Sequence, residues 1–315
     1  MNTMPEEIPA VYVGLDIAKA TLQLHCQNQP YPLANTPEGH AHLIKLLRAV
    51  PGAHVVCEAT GGYERPVVTA LQTAGLPVSV VNPAQVRHFA LAQGGRAKND
   101  PLDAAVLTAY GHALNPPPTP VPDAALCELR ALVQWRDHLK EQLVRTRQYS
   151  QHTTVRFAQR QQTKLIQHLE KQIAAVEKEL TAALARAPRV ENQVKELAQL
   201  DGVGRLTAVS VLSQMPELGQ LNRQQAAALA GLAPWTRQSG TWEGQRHIAG
   251  GRAVIRRALY MSAVGLARQT KTTLGKFYQR LRLAGKPAKV ALTAVMRKLL
   301  LQMNQTLKNY PLKTS

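Results

Sequence analysis

The sequence VYVGLDIAKATLQLHCQ, residues 11–27, decides the fold of the amino-terminal part of the chain. Its first ten residues are a short apolar run rich in β-formers, which predicts a buried strand that ends near Asp16. Residues 21–27 alternate between apolar and polar side chains and predict a second strand. The segment YPLANT, residues 31–36, predicts a third strand, which closes a meander.

Helix and strand signals alternate along the chain after this meander. Thr36 and Pro37 are typical of the first residues of a helix. Buried strands are predicted for HVVCEA, residues 54–59, and for PVSVVN, residues 77–82, with helical patterns after each. The order strand, strand, strand, helix, strand, helix, strand, helix, helix predicts an α/β domain with a mixed sheet and helices packed on it.

Two aspartates stand at the start of the last of these helices, in GRAKNDPLDAA, residues 95–105. Asp100 suits the N-cap position, and Pro101 suits the first turn, where its missing N–H costs nothing. The spacing of three residues places the Asp100 and Asp103 carboxylates on one helix face, with Cβ atoms about 5–6 Å apart. A divalent cation would remove the repulsion between them. An N-cap followed by a solvated first-turn acid explains the same pair equally well.

Four carboxylates are candidates for one metal site, because Asp16 and Glu58 end predicted buried strands and ligands gather at the strand ends of such sheets. Oxygen ligands without His or Cys suit Mg²⁺ or Mn²⁺, and two ions about 3.5–4 Å apart are the usual arrangement for phosphodiester chemistry. Taken singly, Asp16 is explained as a turn acid and Glu58 as a loop acid. The basic residues predicted to meet a nearby backbone phosphate are Lys19, Arg96 and Lys98.

The chain of 315 residues has a formal net charge of +18, which favours a polyanionic partner, most often nucleic acid. Residues 1–120 contain 7 Lys and Arg against 8 Asp and Glu, whereas residues 237–315 contain 16 against the single acid Glu243. The three cysteines form no CxxC or Cys/His metal pattern. No apolar run reaches the roughly 18–20 residues of a membrane span, and the amino terminus lacks a signal core. These features predict a cytoplasmic protein with no membrane partner.

The proline-rich segment NPPPTPVP, residues 115–122, predicts a stiff linker between domains. Apolar residues then recur at spacings of three and four through residues 124–187, which predicts one or two long helices with a coiled-coil seam. An intramolecular hairpin spacer and a dimerisation arm explain this pattern equally well. LAQLDGVGRLTAVSVLSQM, residues 197–215, resembles a helix–hairpin–helix, whose glycine amides can hold a phosphate, although an ordinary helical hairpin has the same pattern.

Residues 222–268 predict two helices joined by a cationic, glycine-rich loop that contains Ser239. Glycines let a backbone approach a ligand closely, and arginines grip phosphates. A serine hydroxyl needs neighbouring cations or a metal to act as a nucleophile. From composition alone, a loop serine in a nucleic-acid-binding surface is the better explanation. The predicted nucleic-acid-binding residues of this segment are Arg237, Arg246, Arg252, Arg256 and Arg257. Residues 271–315 predict two further helices with a basic outer face.

Several motifs make the chain similar to transposases of the IS110 family, also grouped with IS116 and IS902, the DEDD recombinases of bacterial insertion sequences. The matching motifs of the first half are GLDIAK with Asp16, CEATGGYE with Glu58, and KNDPLDA with Asp100 and Asp103. Those of the second half are LDGVGRLTA, LAGLAP, and RQSGTWEGQRHIAGGR with Ser239. The resemblance runs from about Tyr12 to Gln302.

The resemblance implies a RuvC-like, RNase H-type α/β domain at residues 1–114, followed by the linker at 115–122. A coiled-coil region at 123–187 and a mostly helical transposase domain at 188–315 complete the expected architecture. The resemblance further implies that Ser239 forms a covalent phosphoserine link to DNA, next to Mg²⁺ (or Mn²⁺) held by Asp16, Glu58, Asp100 and Asp103. It implies a homo-oligomer, a dimer or tetramer, guided to donor and target DNA by a structured non-coding bridge RNA at the bacterial nucleoid.

Two other functions are compatible with the same residues. In the first, the acids direct water, as in a RuvC-like nuclease or junction resolvase, and Ser239 only binds phosphate. In the second, the chain is an architectural nucleic-acid-binding protein without strand cleavage, which predicts metal-independent binding with a steep salt dependence.

Overall fold

The computed structural model describes the backbone of residues 11–94, 100–235, 238–239, 242–243 and 247–310, and the side chains at 100–101, 238–239 and 242–243 lie outside that description. The chain divides into two compact units, Met1–Val121 and Pro122–Ser315. The division falls within the proline-rich segment 115–122, where the missing N–H groups of successive prolines prevent continuation of a helix or a strand.

The amino-terminal unit contains a five-stranded sheet of order β3-β2-β1-β4-β5. Its strands are β1 Val11–Ile17, β2 Thr21–Cys26, β3 Gln29–Ala34, β4 Ala53–Glu58 and β5 Val78–Val81. The first three strands form an antiparallel meander, and β4 and β5 continue the sheet in parallel. The mixed sheet predicted from the sequence is therefore confirmed. The third strand begins two residues earlier than predicted, because Gln29 pairs directly with Cys26 across a tight turn.

Helices cover both faces of this sheet. They are α1 Pro37–Arg48, α2 Glu64–Thr73, α3 Pro83–Ala92 and α4 Asp100–Leu114. Leu43 of α1 and Leu71 of α2 share one core with Leu15, whereas α3 and α4 form a second core on the opposite face around Tyr12 and Val56. α1 begins as predicted, because the Thr36 side chain accepts a hydrogen bond from the Gly39 amide.

The second unit is mostly helical. Its helices are α5 Ala124–Ser150, α6 Arg156–Ala185, α7 Pro188–Ala198, α8 Arg205–Gln214, α9 Arg223–Leu229, α10 Ala253–Arg268, α11 Thr273–Leu283 and α12 Ala288–Asn309. Among the described residues between α9 and α10 there are four two-residue strands: β6 Pro234–Trp235, β7 Gln238–Ser239, β8 Trp242–Glu243 and β9 His247–Ile248. One continuous apolar core runs from the α5–α6 pair through to α12. No helix in the described part of the chain is long and apolar enough to cross a membrane.

The long helices α5 and α6 form an antiparallel hairpin. Arg136 Nε lies 2.7 Å from Glu177 Oε1, and Arg147 pairs with Glu170 nearer the bend, so the two chain directions oppose each other. Buried leucines line the contact between the helices. The hairpin geometry agrees with the spacer interpretation of this pattern, while the knobs-into-holes packing of a coiled coil stays a prediction.

Gly202, in the turn between α7 and α8, has a packing role. Its φ is +78°, a conformation that favours glycine, and a Cβ at this position would lie 2.6 Å from Leu266 Cγ on α10. Close packing of the turn against α10 therefore accounts for this glycine. Phosphate binding by the same turn stays a prediction.

Candidate functional site

Asp16 and Glu58 are neighbours on adjacent parallel strands. The register of β1 and β4 pairs Leu15 with Cys57, so the residues that follow them stand side by side at the carboxyl ends of the two strands. Residues in register on adjacent strands point to the same face of the sheet, and both carboxylates are half-buried. The tertiary structure thus brings together two acids that lie 42 residues apart in the chain.

The helix α4 packs directly on β1 and runs antiparallel to it. A Cβ at Gly14 would lie 1.9 Å from the Ala104 carbonyl oxygen, and one at Gly111 would lie 2.7 Å from Tyr12 Cγ. Along the strand, Gly14 and Asp16 are about 6.8 Å apart, a distance that an α-helix covers in roughly four to five residues. Because α4 runs antiparallel to β1, counting back by this number from Ala104, which lies against Gly14, leads to the start of α4. The first turn of α4 therefore comes level with Asp16.

The two aspartates of α4 lie in that first turn. The helix begins at Asp100 itself, so it includes the residue predicted as its N-cap and starts one residue earlier than predicted, and the Asp100 side chain lies outside the described part of the structure. Asp103 is half-buried, and it already has at least one polar or electrostatic contact, as do Asp16 and Glu58. The backbone thus carries the start of α4 to the end of the sheet where Asp16 and Glu58 lie.

The structure describes three of the four candidate carboxylates, because the Asp100 side chain lies outside its description. Among the side chains that the structure describes, no three His, Cys, Asp or Glu residues are grouped so that they could hold a metal ion. The available donors are all carboxylate oxygens, and such a donor set fits a hard cation such as Mg²⁺ or Mn²⁺.

Thr108 links α4 to the middle of the sheet, just below the acids. The Gly14 amide donates a hydrogen bond of 2.9 Å to Thr108 Oγ1, and His25 Nδ1 lies 2.9 Å from the same oxygen. His25 is the register partner of Gly14 on β2. One hydroxyl therefore joins β1, β2 and α4, and burial lowers the pKa of His25, which favours the neutral imidazole there.

Asn35 joins the two loops that follow the acidic strands. Its Nδ2 donates to the carbonyl of Ala18, after β1, at 2.9 Å and to that of Tyr63, in the loop after β4, at 3.4 Å. The Nε2 atom of the buried His40 lies 2.7 Å from Asn35 Oδ1, and this contact orients the Asn35 amide. A single side chain thus holds together the ends of the strands that carry Asp16 and Glu58.

Glu64 organises the loop that leads away from Glu58. Its Oε2 accepts hydrogen bonds from the Thr60 amide at 3.2 Å, the Thr60 hydroxyl at 2.9 Å and the Gly62 amide at 2.7 Å. Burial acts to raise the pKa of Glu64, but these hydrogen bonds and that from its own amide favour the charged form and lower the pKa overall. Glu64 is therefore a loop-shaping carboxylate at the edge of the candidate site.

Lys19 lies in the tight turn between β1 and β2, where the Ala18 amide donates to the Thr21 carbonyl. The lysine is exposed and stands three residues beyond Asp16, a position that suits a phosphate contact near the acids. Four other loop residues are predicted to bind phosphate, and all four lie outside the described residues: Arg96, Lys98, Arg237 and Arg246.

Ser239 lies in a short antiparallel ladder. β6 pairs with β9 through Trp235 and His247, and β7 pairs with β8 through Ser239 and Trp242. We call residues 232–249 the serine arm. Ser239 belongs to the pair of strands farther from the arm's base at Gly231 and Gly250. The sequence predicted a loop here, because runs of two residues are too short to produce a strand pattern.

Two of the predicted nucleic-acid-binding arginines on and beside α10 make internal contacts. Arg252 donates to both carboxylate oxygens of Glu217, at 2.8 and 2.7 Å, and Arg256 donates to the carbonyls of Ala230 and Gly250. Arg257 pairs with Glu141 at 3.6 Å, with both side chains exposed. Phosphate binding by these three residues stays a prediction.

Sequence reasoning missed the residues that shape the site, namely Asn35, Glu64, Thr108 and Glu217. Glu64 had a local signal, because an acid just after the double glycine of CEATGGYE is placed to accept free loop amides. The contacts of Thr108 and Glu217 span 94 and 35 residues of chain and leave no local pattern.

Comparisons with known proteins agree with the motifs. Residues 13–156 match a family model for DEDD transposases of the IS110 type, described as transposase, and residues 194–279 match one described as the transposase IS116/IS110/IS902 family. The chain is similar to the pilin gene-inverting proteins of Moraxella bovis and Moraxella lacunata. Each is 28% identical over 300 residues, which cover 92% of this chain and 93% of the relative. The first match contains all four candidate acids, and the second contains Ser239.

Proposed function

Because the chain belongs to the IS110 family of transposases, we propose that it cuts DNA at the ends of an insertion sequence and rejoins it through a phosphoserine intermediate on Ser239. The observation that carries the proposal is the register of Asp16 with Glu58, level with the start of α4. The five-stranded mixed sheet under these acids is compatible with the RuvC-like, RNase H-type fold.

The chemistry proposed for Ser239 is a transesterification. Its hydroxyl oxygen forms a bond to phosphorus while the bond to one bridging deoxyribose oxygen breaks. The serine proton is lost, and the displaced deoxyribose oxygen gains a proton and leaves as a hydroxyl group. The phosphoserine diester keeps the phosphoester bond, so a hydroxyl of a second DNA end can reverse the step and release the enzyme.

The candidate holders of a divalent cation are Asp16, Glu58, Asp100 and Asp103. When bound, Mg²⁺ or Mn²⁺ would polarise the phosphoryl oxygens and stabilise the charge that develops on the attacking and leaving oxygens. The all-oxygen donor set and the strand register support this assignment. Asn35 and Glu64 keep the loops beyond Asp16 and Glu58 in place, so that the two carboxylates do not drift apart.

The relatives support a reaction that breaks and rejoins DNA. The two Moraxella proteins are named for inverting a pilin gene, and inversion of a DNA segment requires strand cleavage and rejoining at both of its ends. The acids and the serine lie in different units of this chain. We propose that a homo-oligomer, a dimer or tetramer, completes the reaction centre.

Nucleic-acid binding is assigned to the basic carboxy-terminal region. Residues 237–315 carry 16 Lys and Arg and a single acid. Such a surface fits the phosphate backbone and supplies affinity without reading sequence. We propose that a structured bridge RNA of the element supplies the sequence information by base pairing with donor and target DNA at the nucleoid.

A denaturing gel of purified protein with Mg²⁺, the RNA that flanks its element and labelled junction DNA tests the proposal. A slow, protease-sensitive band should form with wild-type protein and should be absent with Ser239→Ala. Ser150→Ala is the matched control, because Ser150 Oγ donates to the Arg147 carbonyl of its own helix, near the bend of the α5–α6 hairpin. A covalent band that persists at wild-type level in Ser239→Ala would overturn the serine assignment.

The acids are tested in the same assay. Asp16→Asn and Glu58→Gln should abolish the covalent band, as should a chelator, whereas Glu38→Gln, on the exposed surface of α1, should leave it intact. Free 3′-hydroxyl and 5′-phosphate ends without attached protein would favour a water-directed nuclease or junction resolvase. Binding without cleavage in the presence of the RNA would leave an architectural role.

A further inference from the structure

The base of the serine arm is closed by backbone contacts between its two ends. Gly231 and Gly251 have φ values of +65° and +63°, and a Cβ on Gly251 would lie 2.1 Å from the Gly231 amide nitrogen. The Arg252 amide donates a 2.7 Å hydrogen bond to the Leu229 carbonyl across the same junction. The two glycines thus allow the chain that enters the arm to touch the chain that leaves it.

Arg256 bridges this junction. Its Nη1 donates to the Ala230 carbonyl, on the entering side, at 3.0 Å and to the Gly250 carbonyl, on the leaving side, at 2.7 Å. A Cβ on Gly231 would lie 2.1 Å from this nitrogen, so there is no spare room at the contact. The planar guanidinium holds its donors in a fixed arrangement, which lysine does not reproduce.

Arg252 fixes the junction to the body of the unit. Its two terminal nitrogens donate to the two carboxylate oxygens of Glu217 at 2.8 and 2.7 Å, and Nη1 also donates to the Gln214 carbonyl at 2.9 Å. Burial acts to raise the pKa of Glu217, but the Arg252 hydrogen bonds and that from its own amide lower the pKa overall, so the carboxylate stays charged. A bidentate pair of this kind neutralises the arginine charge that a phosphate would need.

We infer that Glu217, Arg252 and Arg256 are positioning residues that hold the base of the serine arm closed and thereby fix the place of Ser239. We call these three residues, with Gly231 and Gly251, the arm clamp. The inference rests on the proposed function of Ser239. It gives Arg252 and Arg256 a role through the arm rather than through direct contact with DNA.

A loose base would move Ser239 far enough to lower the rate of its attack on DNA. Ser239 is five residues beyond Pro234, a span of up to about 17 Å, so a rotation of about 10° at the base moves the serine by up to about 3 Å. A misplacement of about 1 Å already costs up to about 100-fold in rate when two groups must align. The clamp should therefore affect the rate of attack and leave DNA affinity unchanged.

Glu217→Gln provides the sharpest test, because removal of an acid cannot weaken binding to a polyanion. With full-length protein, Mg²⁺, the flanking RNA and labelled junction DNA, we expect the maximal rate of covalent adduct formation to fall at least tenfold. The DNA concentration for half-maximal rate should stay within about twofold. Glu170→Gln is the matched control, because it removes one exposed arginine partner from the α5–α6 hairpin and should keep the wild-type rate.

Arg256→Lys and Arg252→Gln distinguish positioning from phosphate binding. Positioning predicts a lower maximal rate at unchanged half-saturation for both variants. A higher half-saturating DNA concentration at an unchanged maximal rate would overturn the inference and make these arginines phosphate ligands. A wild-type rate in Glu217→Gln would overturn it as well.

A pair of glycine variants tests the backbone junction. Gly250 and Gly251 have nearly the same φ, but a Cβ at Gly250 meets open space, whereas one at Gly251 meets Gly231. Gly251→Ala should therefore lower the maximal rate well beyond Gly250→Ala. Equal losses in the two variants would contradict the closed base.

Hydrogen exchange separates the clamp from the proposed function. Amides of residues 232–249 should exchange faster in Glu217→Gln than in wild type, with exchange in α12 unchanged, which also shows that the variant folds. If wild-type protein forms no serine-linked adduct, the proposed function fails, and the exchange result alone decides the clamp. Unchanged exchange in the arm would overturn it.

Discussion

Cys57 illustrates how the surroundings of one residue follow from the position of its strand. It is fully buried in β4, one residue before Glu58. Burial raises the pKa of its thiol to about 12, and the carboxylates of Glu64 and Glu58 add to the shift. The thiol is therefore neutral and inert at physiological pH, which agrees with a packing role beside the candidate site.

The raised pKa predicts a loss of stability in alkali. Above the ordinary pKa of 9.0 the unfolded chain loses the Cys57 proton while the folded chain keeps it, up to about pH 12. The free energy of unfolding should therefore fall by about 1.4 kcal/mol per pH unit from this group. Urea unfolding at pH 8, 9 and 10 measures the slope of the free energy of unfolding against pH. This slope should be shallower in Cys57→Ala than in wild type. Identical slopes in wild type and Cys57→Ala would refute the assignment.

Helix packing, at the scale of secondary-structure elements, sets the geometry of the acids. α4 approaches β1 closely enough for the Gly14 position to touch helix backbone, and the Thr108 hydroxyl accepts the Gly14 amide hydrogen bond. This contact fixes the position of α4 along β1. It therefore fixes the level of Asp103 relative to Asp16.

Gly14→Ala should disturb this contact directly. The added Cβ would lie 1.9 Å from the Ala104 carbonyl oxygen, so α4 has to move, at a cost of about 1–3 kcal/mol in the free energy of unfolding. Thermal unfolding followed by circular dichroism checks the loss. Gly265→Ala, on the exposed face of α10 where a Cβ meets open space, should be neutral or stabilising by about 0.5–1 kcal/mol. A Gly14→Ala protein as stable as wild type would show that α4 does not depend on this approach.

At the scale of the whole molecule, charge is distributed unevenly along the chain. The half that carries the candidate acids is nearly neutral, and the carboxy-terminal quarter carries most of the excess positive charge. The separation fits the proposed function, in which the basic unit binds nucleic acid and the acids of the other unit bind a metal. Both units are needed for the proposed reaction, because each lacks the other's residues.

The uneven charge predicts where the salt dependence of DNA binding originates. Lys276, Lys286 and Lys289 are exposed in the nearly acid-free region, so replacing all three by Gln should lower the slope of log affinity against log salt by up to about 3. The matched control replaces Lys164, Lys171 and Lys178 on α6, where acids alternate with the lysines, and should change the slope much less. Fluorescence anisotropy with a short duplex at several salt concentrations measures both. Equal slope changes would contradict a carboxy-terminal binding surface.

Local patterns alone determined much of this protein. The apolar alternation of residues 11–27, the cap at Thr36 and the prolines of 115–122 specify strands, a helix start and a boundary, because each depends on neighbours in the chain. The motifs around Asp16, Glu58, Asp100, Asp103 and Ser239 also sufficed to place the chain in its family. Nothing in those patterns states which groups touch.

Only the tertiary structure decided the neighbours. The parallel register that sets Asp16 beside Glu58 and the approach of α4 to Gly14 both join residues far apart in the chain. The same holds for Arg252, which the sequence predicts as a phosphate ligand and which the structure pairs with Glu217. Such contacts are selected by packing of the complete core, where a residue's partner depends on how whole elements fit together, and no local spacing encodes that fit.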